Sequence, residues 1–170
     1  MTPAVTETEY RELSDFLYDE AEILSNQDYA AWERLLAEDI HYLVPVPQFM
    51  EQDGGRNIGI GNGYFDDDIH SMRIRLQLLG NPATTTSENI RSLLNHVVTN
   101  IRVTRAEDNE YQCRSCITIH RTRFSKKTPT IISGRRTDLI RRTENGFQLV
   151  KREVKLTQSI LMSSNISFFF

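Results

Sequence analysis

Cysteine is scarce in this 170-residue chain: Cys113 and Cys116 are the only two, too few for a disulfide scaffold. They form a Cys-x-x-Cys, but a zinc site normally needs a second pair, and the sequence has none. They also fall in a stretch that reads as a strand, where positions three apart point to opposite faces. A metal or redox role is therefore disfavoured. No run of 18 apolar residues occurs, so no transmembrane helix is expected. Positive charge is not in excess. A net charge of −3 and a pI near 5.8 argue against general nucleic-acid binding, which favours a strongly basic face. The opening Met1-Thr2-Pro3-Ala4-Val5-Thr6-Glu7 lacks the basic start and apolar core of a secretory leader, so the cytoplasm is the expected compartment. No internal repeat or composition break marks a boundary. Residues 1–170 read as one domain, with about the first five as a flexible tail.

What is present begins with helices. From Thr6 to Leu24 the apolar residues fall at Tyr10, Leu13, Leu17, Ala21 and Leu24, on one face of an amphipathic helix. Thr6 and Glu9 have the spacing of a capping box. After the polar break Ser25-Asn26-Gln27, Asp28 is placed to cap a short second helix with Trp32, Leu35 and Leu36 facing inward. Ile40, Tyr42, Val44 and Val46 then alternate as a strand that Pro45 and Pro47 bring to an end. Residues 48–63 read as a Gly- and Asn-rich loop. A third helix is expected to start at Asp66 to Asp68 and run through Ile69, Met72, Leu76 and Leu79 to Gly80-Asn81-Pro82. A threonine-rich loop covers 83–89.

From His96 onward the period changes to two. Val97 to Val103, Tyr111 to Arg121, Thr130 to Arg142 and Phe147 to Ile160 read as four long strands with polar turns between them. Asn145-Gly146 is a tight-hairpin signal, because both residues tolerate positive φ. The expected result is an α+β domain: a strongly curved antiparallel sheet wrapped around the N-terminal helices.

Candidate chemistry is sparse. Gly59-x-Gly61-x-Gly63 has the glycines of a phosphate loop, but no Gly-Lys-Ser/Thr follows, and Asp66, Asp67 and Asp68 would repel a phosphate. Asp39 and His41 share a strand face, and Asp66 and His70, four apart on the expected third helix, share a helix face. Either pair has the composition of an acid–base couple, and two histidines with a carboxylate suit a mononuclear iron. The alternative, that these are surface or partner-contact residues, is the better supported. Arg135, Arg136, Arg141 and Arg142 lie on one strand, with Arg121 and Arg123 on its neighbour. Their desolvation has to be met by carboxylates or carbonyls, within the chain (Asp138, Glu144, Glu153) or across an interface. The tail Phe168-Phe169-Phe170 carries about 1.5–3 kcal/mol per buried side chain. It belongs either in its own core or against another subunit.

Three stretches together resemble the small (β) subunit of bacterial aromatic-ring-hydroxylating dioxygenases. The first runs from Glu20-Ala21-Glu22-Ile23-Leu24 through Tyr29, Trp32 and Leu35 to Asp39-Ile40-His41-Tyr42 and Pro45. The second is Asn95-His96-Val97-Val98-Thr99-Asn100-Ile101-Arg102-Val103. The third joins Gly134-Arg135-Arg136, Asp138-Leu139-Ile140-Arg141-Arg142, Gly146-Phe147, Leu149, Lys151-Arg152 and Leu156 to the ending Asn165-Ile166-Ser167-Phe168-Phe169. The likeness extends from about Tyr18 to the end. Before His96 the chain has Arg91-Ser92-Leu93-Leu94-Asn95, where the family more often carries further arginines.

The resemblance implies a cone-shaped fold like that of nuclear transport factor 2. It also implies assembly of three small with three large (α) subunits. The large subunit would carry the Rieske [2Fe–2S] cluster and the mononuclear iron. Electrons would come from NADH through a reductase and a ferredoxin, and the complex would convert aromatic hydrocarbons to cis-dihydrodiols. This chain would then hold no cofactor and no catalytic residue. A Rieske centre takes two cysteines and two histidines, and neither cysteine here lies in a Cys-x-His pattern. On that reading Arg135, Arg136, Arg141, Arg142, Phe168, Phe169 and Phe170 serve the interface or a supporting core. Two other classes share the fold: a stand-alone isomerase or dehydratase using Asp39 with His41 or Asp66 with His70, and a small-ligand-binding module.

Overall fold

The computed structural model describes residues 4–46, 63–81, 92–123, 128–158 and 166–170. Helix α1 spans Glu7–Ser25. Its capping box forms as the sequence predicts: the Thr6 hydroxyl accepts from the Glu9 N–H at 3.2 Å, and the Glu9 carboxylate accepts from the Thr6 N–H at 2.9 Å. Asp28 caps α2 (Tyr29–Glu33), accepting from the Ala31 N–H at 3.0 Å. Strand β1 (Leu36–Val44) follows, then β2 (Phe65–Asp67), α3 (Ile69–Gly80), β3 (Leu93–Glu107), β4 (Glu110–Thr122), β5 (Thr130–Thr143) and β6 (Gly146–Leu156). Gly146, at φ +113°, closes the β5–β6 hairpin opposite Thr143, a backbone shape suited to glycine.

The six strands form one sheet in the order β2-β1-β6-β5-β4-β3. The four long strands make the expected antiparallel meander. The sheet is not antiparallel throughout, because β1 runs parallel to β6. Parallel neighbours need a long crossover, and α3 with the rest of the meander supplies it. Register breaks in β3, between Thr99 and Arg102, and in β6, where Val150 is the extra residue opposite Leu139 and Ile140 of β5, bend the sheet around the helices. Asn100, inside the β3 break, has a φ of +55°, which asparagine adopts more readily than most residues.

Several expected boundaries move. The first strand starts at Leu36, not Ile40, because the Leu149 N–H donates to the Leu35 carbonyl and draws the chain onto β6 straight after α2. The third helix starts at Ile69. Asp68 is its N-cap, accepting from the Ser71 N–H at 2.8 Å, while Asp66 and Asp67 pair with β1 in a short strand. The last strand stops at Leu156. The glycine-rich loop, apart from Gly63, and the threonine-rich loop lie outside the described residues.

Inside the curve, Leu13, Leu17 and Leu24 of α1 and Trp32 of α2 pack with Tyr42 and Val44 of β1 and Met72 of α3. Ile117, Ile119, Ile140, Leu149 and Val154 of the meander complete that layer. Phe168, Phe169 and Phe170 sit in the same core, each no more than 1% exposed. Phe169 stacks on Trp32 with ring centroids 4.5 Å apart.

Candidate functional site

Four charged side chains occupy the middle of this core: Glu20 of α1, Arg136 and Asp138 of β5, and Arg152 of β6. Each stands where the local periodicity demands an inward residue. Glu20 follows Leu13 and Leu17 on the apolar face of α1, Arg136 and Asp138 alternate with Ile132 and Ile140, and Arg152 precedes Val154.

Arg152 directs all five of its N–H groups at acceptors. Nε donates to Asp138 Oδ1 at 2.8 Å, and Nη2 to Asp138 Oδ2 at 2.9 Å and Glu20 Oε2 at 2.7 Å. Nη1 donates to Glu20 Oε1 at 2.8 Å and to the Phe170 carbonyl at 2.7 Å. A guanidinium has five donors, so none is left over. Trp32 Nε1 adds a 2.9 Å bond to Glu20.

Burial pushes the Glu20 carboxyl up, but Arg152 and Arg136 outweigh it and hold the group below its ordinary value. For Arg152 burial opposes the charge, yet Asp138 and Glu20 keep its pKa well above the usual arginine value. Arg136 is less well served. Its Nε donates to Ser115 Oγ at 3.3 Å and lies 3.5 Å from Asp138, its Nη1 lies 3.5 Å from Glu20, and neither Nη atom makes a hydrogen bond.

The phenylalanine tail is tied into this network. The Phe170 N–H donates to the Tyr42 hydroxyl at 2.8 Å, and burial pushes that phenol up to about 12. His96 Nε2 lies 2.9 Å from the Phe169 carbonyl, which only accepts, so the proton sits on Nε2. Nδ1 faces Ser25 Oγ at 3.1 Å. Burial lowers His96 to about 4, so the ring is neutral near pH 7. Arg121 donates to Ser92 and Ser167 and lies 5.5 Å from the Phe168 ring centre.

The histidine–carboxylate couples expected from spacing form differently. His41 Nε2 meets Asp66 Oδ1 at 2.8 Å across β1 and β2, with both side chains largely exposed. Asp39 instead takes a bidentate grip from Arg141, at 3.0 and 2.9 Å, and Arg141 also donates to Glu110 at 2.8 Å. His70 is exposed on α3, away from a shared helix face with Asp66, which lies in β2. Arg142 pairs with Glu12 of α1 at 2.5 Å, and Arg135 is exposed. Cys113 is buried, its thiol pushed up to about 12 by burial, while Cys116 faces the other side of β4. The two sulfurs therefore cannot close on one iron. Among the described residues no three His, Cys, Asp or Glu side chains gather as a metal site.

What sequence reasoning missed is Glu20 and Arg152. The available signal was a charged residue standing in phase with an apolar face.

Comparison with known proteins agrees with this architecture. Residues 19–163 match the family described as the ring hydroxylating beta subunit. The β subunit of biphenyl 2,3-dioxygenase from Rhodococcus jostii (strain RHA1) is 36% identical over 165 residues, covering 94% of this chain and 87% of that one. The β subunit of benzene 1,2-dioxygenase from Pseudomonas putida is 34% identical over 169 residues, with the same coverage. A solved naphthalene 1,2-dioxygenase with indole in its active site superposes with a TM-score of 0.85 at 19% identity, covering 98% of this chain and 88% of its own. That last likeness establishes the fold, an α+β cone of the nuclear-transport-factor-2 type. By the family match and these relatives together, the chain belongs to the ring-hydroxylating dioxygenase β subunits.

Proposed function

We propose that this chain is a non-catalytic scaffold in a terminal oxygenase, holding large subunits in register while they perform the chemistry. The observation that carries the reading is the closed interior. Glu20 and Asp138, which would be the acid–base groups of a cavity, are consumed by Arg152, and the phenylalanine tail fills the space beside them. A buried carboxylate locked in two charge-assisted bonds is a poor proton carrier.

The assembly we propose is three of these chains with three large subunits in the cytoplasm. The large subunits would hold the Rieske cluster and the mononuclear iron, with electrons arriving from NADH through a reductase and a ferredoxin. Among the described residues no donor set gathers for either metal. Relatives named for biphenyl and benzene point to an aromatic hydrocarbon as substrate of the complex. The test is turnover of benzene and biphenyl by the purified chain, by the large subunit and by both together, each supplied with NADH, reductase and ferredoxin. Dihydrodiol formation that requires the large subunit supports the reading. Turnover of any aromatic compound by this chain alone contradicts it.

A further inference from the structure

The outer face of the meander carries charge of largely one sign. Arg102 of β3, Arg114 of β4, Arg135 of β5 and Lys151 and Lys155 of β6 project from it, exposed. Ser115, Arg136, Arg152 and Val154 beside them point into the core. The register sets like charge against like, with Arg102 opposite Arg114 and Arg135 opposite Lys155. Such pairs weaken a sheet. Glu153, between the two lysines on β6, reaches Lys155 at 3.5 Å. Arg102, Arg114, Arg135 and Lys151 form no ion pair among the described residues.

Helix α1 shows the same self-repulsion with the opposite sign. Leu13, Leu17 and Leu24 turn inward, and Asp15, Asp19 and Glu22 lie exposed in one stripe on the far side of the helix. Asp15 and Asp19 are four apart and Asp19 and Glu22 three apart, spacings at which like charges destabilise a helix. None of the three forms an ion pair among the described residues.

A face made only for water mixes the two signs. This chain does so elsewhere, pairing Arg73 with Glu33 and Glu38, Arg141 with Asp39 and Glu110, and Arg142 with Glu12. The acidic stripe and the basic face have no such recourse to each other. Helix α1 packs on the inner side of the sheet, so the two point away from one another within a chain.

We infer that a second copy of this chain docks on the basic sheet face through the acidic stripe of its α1. Two basic faces repel, so the contact is not that of a two-fold dimer. It runs head to tail, each copy offering its sheet to one neighbour and its helix to the other. Contacts of this kind close into a ring where the rotation allows. Three copies is the number in the assembly proposed above, and the ring size rests on that reading.

The test is sedimentation equilibrium of the full chain without the large subunit, at low and at high salt. Association of three copies is expected at low salt and should weaken at high salt, where exposed charges are screened. Arg114→Glu with Arg135→Glu, and separately Asp19→Arg with Glu22→Arg, should each weaken it by about tenfold or more. The variant carrying all four changes should recover it, because the two signs are then exchanged. Thermal melting keeps folding apart from docking. In the first pair each introduced carboxylate faces Arg102 or Lys155, so the Tm should hold or rise. A chain that stays single at low salt would overturn the inference. So would association that survives either reversal, or that the four changes together fail to restore. Those results leave the scaffold reading standing if the chain still enters an iron-bearing oxygenase. A chain that self-associates as expected but enters no oxygenase refutes the scaffold reading and upholds this contact.

Discussion

Arg152 on the last strand and Glu20 on the first helix meet through two parallel hydrogen bonds of 2.8 and 2.7 Å, with both side chains fully buried. The pair joins the first helix to the last strand, and Asp138 adds a second carboxylate from the neighbouring strand, which Arg136 balances. Removing one partner of such a group strands the other charge in the core. Arg152→Met is therefore expected to lower unfolding stability by about 3–5 kcal/mol. Urea denaturation checks this, and a loss under 1 kcal/mol would mean that the cluster is hydrated and tolerant.

Phe169 gives the second prediction. Its ring packs on Trp32, Tyr29 and Tyr42, and the Arg75 guanidinium lies 4.7 Å from its centre. Phe169→Ala should cost about 3–5 kcal/mol by lost transfer and cavity formation. Deleting 168–170 should impair folding and assembly together, read by thermal melting and by native mass. A truncated chain as stable as the parent would refute the core role assigned to the tail.

His96 sets a pH dependence. Its folded pKa is lowered from 6.5 to about 4, so the unfolded chain takes up a proton that the folded chain refuses. Its contribution is fully present above pH 6.5 and is lost as pH falls toward 4, with a total of about 3 kcal/mol from the size of the shift. His96→Gln, whose amide can still donate to the Phe169 carbonyl, should flatten stability against pH in that window. An unchanged slope would mean that His96 is already protonated in the fold.

The exposed couple of His41 and Asp66 gives the opposite expectation. Both side chains face solvent, and surface pairs contribute little. His41→Ala should shift stability by no more than about 0.5 kcal/mol and leave dihydrodiol formation by the assembled oxygenase intact. A specific loss of turnover at unchanged assembly would restore the acid–base reading of these residues.

How much of this was legible in the sequence depends on the range of the interaction. The Thr6–Glu9 capping box, the Asp28 cap and the Asn145-Gly146 turn are local, and each lies where spacing places it. The meander follows from period-two alternation for the same reason. Pairing over long separations was not legible. Asp66 carries the spacing of a helix partner for His70, but Asp68 captures the cap and leaves Asp66 to a strand facing His41. Nothing in the chain's order announces that β1 lies parallel beside β6. The charged core was half visible. Asp138 and the arginines of β5 drew attention as a charged strand, whereas Glu20 and Arg152 became partners only once the helix and the last strand were brought together.

The most direct test of the scaffold account is to co-express this chain with the large subunit of its oxygenase and measure native mass and iron per polypeptide. The account predicts a complex of three large and three small subunits, with all iron and acid-labile sulfide in the large ones and none on this chain after separation. Stoichiometric iron on the isolated small chain, or a fully active oxygenase that assembles without it, would contradict the account.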